Sequence, residues 1–336
     1  MWTKKMPIVT NSIKKILVIQ FSPFGDVFLA SSTFETIKKN LPDAELFFLT
    51  KQPYHEAVMD HPFLDGIITF KHEKGIKYFI ERCKLFKKIR DLKFDLVIDQ
   101  QNNPGSQQIS LFSGAKYRIG LSDGQFAFAY NYKVMRDTDK YSGSQKFDLL
   151  KPLGIKEGNW VFHFTISQNS ISFIDNWLES VCLNDKNYVV MAPGSPVQYK
   201  KWRNNYFASL GDLIEDNLDF HVVLLGTKKE QYDCKNVYEH MKNKPIIAPE
   251  MTLNQAVALL KKAKFLVCND GGLNHISCAT ETTTFAIFGT TNHVHWSPAS
   301  VFGHHIHLIK PGYPSKKDDS FGISPQTVLE KIMEFQ

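Results

Sequence analysis

The sequence predicts an α/β protein of two Rossmann-like domains, each with a mostly parallel sheet, facing one another across a cleft. Two observations predict it. Short apolar runs alternate with longer amphipathic stretches, which is the pattern of βαβ units. That pattern runs through twice, in two series of similar size joined near residues 150–168, and 336 residues suit about two domains. Residues 1–165 are expected to form the first domain and 166–324 the second. Residues 325–336 are expected to form a helix that packs back over the junction.

In the first series, Ile16–Phe21 (ILVIQF) reads as a buried strand, and its helix is expected from Phe28 to Asn40. Pro42 and Asp43 turn the chain into a second strand, Glu45–Thr50. Asp65–Phe70 reads as a third, Ile76–Leu92 as a long basic helix, and Asp95–Asp99 (DLVID) as a fourth strand that ends in the polar loop Gln100–Gly105. Tyr117–Leu121 follows Gly114 as one more short strand. In the second series the strands are Tyr188–Ala192, Phe220–Leu225, a short one near 245–248, Phe265–Asn269 and Thr284–Phe288. Helices are expected at Ser170–Val181, Tyr206–Asn217, Glu230–Met241, Leu253–Ala263 behind the N-cap Thr252, from Leu273, and from Pro325.

Composition narrows the function classes. Aromatic residues make up 13% of the chain, 26 of them Phe, which excludes a disordered protein. Five cysteines without a CxxC pair are not a disulfide framework, and a cytoplasmic compartment fits them. No apolar run approaches the ~20 residues that cross a bilayer. The lysines before ILVIQF imitate a secretory leader, but Pro23, Gly25 and Asp26 interrupt it. Charge is uneven: residues 1–165 hold 24 Lys and Arg against 17 Asp and Glu, whereas residues 166–336 hold 16 against 17. Part of the surplus is Lys84, Lys87, Lys88, Arg90 and Lys93, which reads either as a solvated helix face or as a surface toward something anionic.

Ligands of such sheets bind beyond the carboxyl ends of the strands, so four loops are candidates for chemistry. Ser22-Pro23-Phe24-Gly25-Asp26 follows the first strand, and Asp26 is either a helix cap or a general base. Ala192-Pro193-Gly194-Ser195, with Lys200-Lys201-Trp202-Arg203 close behind, suits a phosphate or pyrophosphate or is an exposed basic loop. Asn269-Asp270-Gly271-Gly272-Leu273-Asn274-His275 pairs glycines that admit a ligand to the backbone with a helix start that favours an anion. Glu230, after the strand FHVVLL, bonds a ribose or acts as a first-turn acid of its helix. His293, His295, His304, His305 and His307 imitate metal ligands without a recognised spacing. GxxxxGK[ST], HExxH and a first-strand GxGxxG are missing, against NTPase, zinc protease and dehydrogenase readings.

Taken together, ILVIQFSPFGDVFLA, FDLVIDQQNN with SGAKYRIGL, APGS with YKKW, and CNDGGLNHISCA with TTTFAIFGTTNHVHWSP resemble glycosyltransferase family 9, the ADP-heptose:lipopolysaccharide heptosyltransferases. The resemblance covers nearly the whole chain. It implies a GT-B fold and inverting, metal-independent transfer of a heptose from ADP-heptose, a substrate and not a cofactor, to a hydroxyl of a lipopolysaccharide core. It implies Asp26 as general base in a first loop that includes Ser22 and Gly25, and Lys200 as the cation on the leaving diphosphate. Ser195 would hold the diphosphate beside Lys200, Glu230 the ribose, and Asp270, Gly271, Gly272 and His275 the donor sugar and diphosphate. The implied partners are a nucleotide-sugar and an anionic lipid-linked oligosaccharide at the cytoplasmic face of the inner membrane, with peripheral membrane contact and no nucleic acid. The alternatives are another nucleotide-sugar donor, a nucleotide-sugar epimerase, and a non-catalytic nucleotide-sugar binder.

Overall fold

Both apolar series fold as six-stranded sheets in which every strand pairing is parallel. The computed structural model describes residues 7–21, 23–71, 74–184, 186–312 and 318–335. The chain divides into two compact units, Met1–Phe164 and Thr165–Gln336.

The first unit runs β1 (Lys15–Ile19), α1 (Phe24–Ser31), α2 (Phe34–Asn40), β2 (Glu45–Lys51), β3 (Gly66–Phe70), α3 (Ile76–Asp91), β4 (Leu96–Asp99), α4 (Pro104–Phe112), β5 (Tyr117–Leu121), β6 (Tyr132–Val134) and α5 (Ser142–Asp148). Its strand order, β3-β2-β1-β4-β5-β6, is that of a Rossmann sheet. The expected helix from Phe28 to Asn40 is two helices, and the first begins at Phe24, behind Pro23 as N-cap. Ser32 and Thr33 divide them, their hydroxyls donating to the carbonyls of Leu29 and Ala30. Side-chain bonds of this kind compete with the helical ladder. The loop expected at Gln100–Gly105 is cut short by α4, which Asn103 caps in a capping box with Ser106.

The second unit continues with α6 (Gln168–Ser180), β7 (Tyr188–Ala192), α7 (Asn204–Leu218), β8 (His221–Leu224), α8 (Gln231–His240), β9 (Ile246–Ile247), α9 (Leu253–Lys262), β10 (Phe265–Asn269), α10 (Gly272–Ile276), β11 (Thr283–Ile287), α11 (His293–Trp296), β12 (His305–Leu308) and α12 (Pro325–Met333). Its order, β12-β11-β10-β7-β8-β9, is the same topology read from the other edge. Successive side chains of a strand point to opposite faces, so a sheet covered on both sides needs continuous apolar runs. Val189, Met191, Val222, Leu224 and Val267 fill one face beneath α7, α8 and α12. Tyr188, Val190, Val223 and Leu266 fill the other beneath α6 and α9. Each such Val or Leu contributes roughly 1.5–3 kcal/mol by leaving water. The final helix puts Val328, Leu329 and Ile332 into the same core as Phe207 and Leu210 of α7. The HHIH segment that imitated a metal-binding run leads into β12 at the sheet edge, which takes in His305 and His307.

Candidate active site

A Rossmann sheet binds ligands where its strand order reverses, beyond the carboxyl ends of the first and fourth strands. In the first unit that point lies between β1 and β4, and in the second between β7 and β10. Three of the four candidate loops leave three of these strands: the one carrying Asp26 leaves β1, that with Ser195 and Lys200 leaves β7, and that with Asp270 leaves β10. The fourth, carrying Glu230, leaves β8 next to β7.

In the first unit Asp26 occupies the first turn of α1, with its side chain one-fifth exposed. Gly25 is buried in the same turn, and Ser22 lies outside the described residues. Behind Asp26 stands a residue that sequence reasoning missed. Lys146, on the fully buried α5, brings Nζ to 3.9 Å from Asp26 Oδ1. The same ammonium donates to Gln20 Oε1 at 2.6 Å and to the Gln100 carbonyl at 3.0 Å. Burial pushes its pKa down, while the Asp26 and Asp99 charges work against that. Gln20 Nε2 in turn donates to Gln101 Oε1 at 3.0 Å, which also accepts from the Phe21 N–H at 2.7 Å. These bonds tie the loop after β1 to the loop after β4.

Asp99 holds that second loop in shape. Its carboxylate accepts from the N–H groups of Gln101 and Asn102 and from the Tyr130 hydroxyl at 2.7 Å. Full burial pushes its pKa up against these bonds. The visible signals for this network were the strand-ending Gln20 and the QQNN run. Lys146 offered none, since SGSQKFD lacks any apolar helical period.

In the second unit the structure joins two of the predicted residues directly. Lys200 Nζ donates to Asp270 Oδ2 at 2.7 Å, and it sits 5.6 Å from the centre of the Trp296 ring. The Asp270 side chain is 3% exposed and that of Lys200 20%, so the carboxylate is buried and the cation reaches outward. Asn269, which precedes Asp270, locks the two loops together. Its Nδ2 donates to the Pro193 carbonyl at 2.7 Å, and its Oδ1 accepts from the Trp202 N–H at 2.9 Å. Ser195 is buried and its hydroxyl accepts from the Val197 N–H, which shapes the turn toward Lys200.

Glu230 lies against Gly194: a Cβ on that glycine would meet Glu230 Cβ at 2.5 Å. The Glu230 Oε2 accepts from the Thr227 N–H and hydroxyl, at 2.9 and 2.7 Å. His275 is buried in α10. Gly272 opens that helix and Gly271 caps it. Gly271 has an extended backbone, φ −165°, that any residue adopts, and its Cβ position meets only the Asn269 carbonyl at 3.7 Å. What this glycine contributes is therefore open space above the loop, with no conformational demand.

Each unit thus has its polar and charged side chains converging where a nucleotide-handling α/β unit binds its ligand. The model of glycosyltransferase family 9 (heptosyltransferase) matches residues 82–321. Lipopolysaccharide heptosyltransferase 2 of Escherichia coli strain K12 is 23% identical over 95% of this chain and 97% of its own. The family 9 glycosyl transferase of Veillonella parvula shares the fold, with a TM-score of 0.83, 22% identity and 96% of both chains covered. So does the E. coli heptosyltransferase WaaC, solved with ADP-2-deoxy-2-fluoro heptose. Its TM-score is 0.74 and its identity 17%, over 96% of this chain and all of that one. The chain belongs to glycosyltransferase family 9, the heptosyltransferases, and is a glycosyltransferase.

Proposed function

We propose that this enzyme transfers a heptose from ADP-heptose, with inversion, to a hydroxyl of a lipopolysaccharide inner core. The observation that carries this reading is the Lys200–Asp270 pair at the strand-order reversal of the second sheet. It sets a cation, oriented by a buried carboxylate, where a diphosphate belongs in such a sheet. Relatives named as lipopolysaccharide heptosyltransferases, and a neighbour solved with an ADP-heptose analogue, support the donor and the acceptor class.

In this reading Asp26 takes the proton from the acceptor hydroxyl as its oxygen attacks the anomeric carbon. Lys146 holds Asp26 in place from behind. Charge grows on the departing ADP, and Lys200 meets it with an ammonium already oriented, which is how fixed charges lower a barrier without reorganising. The leaving group then needs no metal. Ser195 with the N–H groups after β7 holds the diphosphate, and Glu230 takes a ribose hydroxyl with the carboxylate oxygen that Thr227 leaves over. Asp270, Gly271, Gly272 and His275 line the donor. A lipid-linked, phosphorylated acceptor puts the enzyme at the cytoplasmic face of the inner membrane, where the first unit's positive charge suits it.

Calorimetric titration with ADP, UDP, GDP and CDP, with and without EDTA, tests the donor half. ADP is expected to bind most tightly and equally well with the chelator. Tighter binding of another nucleotide moves the donor elsewhere, and loss of ADP binding in EDTA overturns the metal-free reading. Mass and NMR analysis of the product formed from ADP-heptose and a purified core oligosaccharide tests the acceptor half.

A further inference from the structure

We propose that the outer face of α3 is a docking surface for an anionic lipid bilayer. Only Leu85 and Ile89 of this sixteen-residue helix are buried. Its first turns instead expose large apolar side chains: Ile76 is 79% exposed, Phe79 68% and Ile80 49%. With the exposed Cys83 and Lys87 they follow one another at three- and four-residue spacing, so they share one face. Monomeric proteins rarely leave such neighbours together in water without a use for them.

The chemistry changes along the helix. Beyond the apolar turns come Lys84, Lys87, Lys88 and Arg90, and the sixteen residues hold six cations against Glu81 and Asp91. Beside the helix, Lys71, Lys77 and Lys84 line an open hollow of about 580 Å³ together with Ile80 and Glu81. Lys84 and Lys87 pair with exposed carboxylates of their own helix, Glu81 and Asp91, and such pairs hold their partners weakly. Exposed Phe112 of α4 packs on Phe86 with ring centres 5.3 Å apart and widens the apolar area.

An apolar end that enters the acyl boundary, followed by lysines level with the phosphates, is the make-up of a helix that lies in a membrane interface. Charge complementarity selects an anionic surface. No helix among the described residues is long and apolar enough to cross a membrane, so α3 would lie on the bilayer and not span it. This inference rests on the membrane placement proposed above and names the surface that makes it; it is separable from the reaction, because vesicle binding needs no sugar transfer.

The test uses the full chain and sedimentation with vesicles of phosphatidylcholine alone or of three parts phosphatidylcholine to one part phosphatidylglycerol. Binding to the anionic vesicles is expected, weakening as salt rises above about 0.1 M. The variant Lys84→Gln/Lys87→Gln/Lys88→Gln is expected to bind on the order of 100-fold more weakly, at about 1 kcal/mol per lysine near an anionic surface. Phe79→Ser/Ile80→Ser is expected to lose retention on vesicles at high salt. All the altered side chains are exposed, so melting temperatures should match that of the parent.

Equal binding to neutral and anionic vesicles overturns the proposal, and so does a triple variant that binds within twofold of the parent. Preference for a short RNA or DNA duplex over the vesicles would make the partner a nucleic acid. A dimer lost on Phe79→Ser/Ile80→Ser would make it a second copy of the chain. Transfer to a delipidated core oligosaccharide should be unchanged in both variants. If that falls while vesicle binding holds, α3 serves the acceptor and not the bilayer.

Discussion

The ammonium of Lys200 lies 2.7 Å from the Asp270 carboxylate, and this pair ties the loop after β7 to the loop after β10 where the second sheet reverses its strand order. One side of the contact is buried and the other reaches solvent. The pair therefore does two jobs, and they can be separated. Lys200→Ala is expected to weaken ADP binding about 10–100-fold, the worth of one charged hydrogen bond. It also leaves a buried carboxylate without its cation, which costs about 1–3 kcal/mol. Adding Asp270→Asn should restore stability and leave affinity low. Calorimetry with ADP and urea denaturation read the two effects, and a double variant that regains affinity would remove Lys200 from the diphosphate.

Asp26→Asn keeps the shape of the side chain and removes the base. Turnover is expected to fall about 10²–10⁴-fold. Stability should move by no more than about 1 kcal/mol, since Lys146 keeps its bonds to Gln20 and the Gln100 carbonyl. Lys146→Met should lower kcat as well while leaving the ADP dissociation constant alone, because the nucleotide is assigned to the other unit. Steady-state kinetics beside ADP titration checks both. An Asp26→Asn enzyme within tenfold of the parent would take the base assignment away.

Gly194→Ala is expected to harm both stability and ADP binding. The new methyl would meet Glu230 Cβ at 2.5 Å, an atom close to the backbone that cannot swing aside. Overpacking of this kind costs typically about 1–3 kcal/mol. Gly271→Ala is the control, because the corresponding Cβ meets nothing nearer than 3.7 Å. Thermal denaturation should separate the two variants, and equal melting temperatures would show that Glu230 does not rest on Gly194.

His61 gives stability a pH dependence. It is buried edge-on to Phe34, with ring centres 4.9 Å apart. Burial, helped by the charge of His163, pulls its pKa down from 6.5 to about 4. Above pH ~6.5 both the folded and the unfolded chain carry the neutral ring, and the site is indifferent to pH. As pH falls from 6.5 to 4, only the unfolded chain takes up the proton, so stability is lost across that window. Below it both states are protonated and the loss levels off near roughly 3 kcal/mol. His61→Leu should lack this component. Urea midpoints of parent and variant are expected to diverge between pH ~7 and pH ~4, and parallel curves would assign the acid sensitivity elsewhere.

Elements that bury apolar side chains were readable before the fold was known. Tyr188–Ala192 and Phe265–Asn269 are strands at the predicted residues, because a sheet covered on both faces requires apolar runs. Elements that bury polar side chains were not readable. In α4, Ser106, Gln107 and Ser110 are buried, and α5 is buried along its whole length although it reads SGSQKFD. Hydrophobic periodicity cannot register such segments, since partners far along the chain satisfy their polar groups: Lys146 meets Gln20 across 126 positions. β12 was hidden because two of its four residues, His305 and His307, break the apolar run.

The sequence by itself determined the parallel α/β architecture and the strand-ending loops with their Asp, Gly, Ser and Lys residues, because strand periodicity and turn chemistry are local. Tertiary structure decided which of those loops meet. Lys200 and Asp270 are 70 residues apart, and they touch because the crossovers set β7 beside β10. Lys146 stands behind Asp26 because β1 lies beside β4 and α5 packs on α1. Strand order is a property of the whole sheet, fixed by the packing of helices on both faces, and no run of neighbouring residues encodes it.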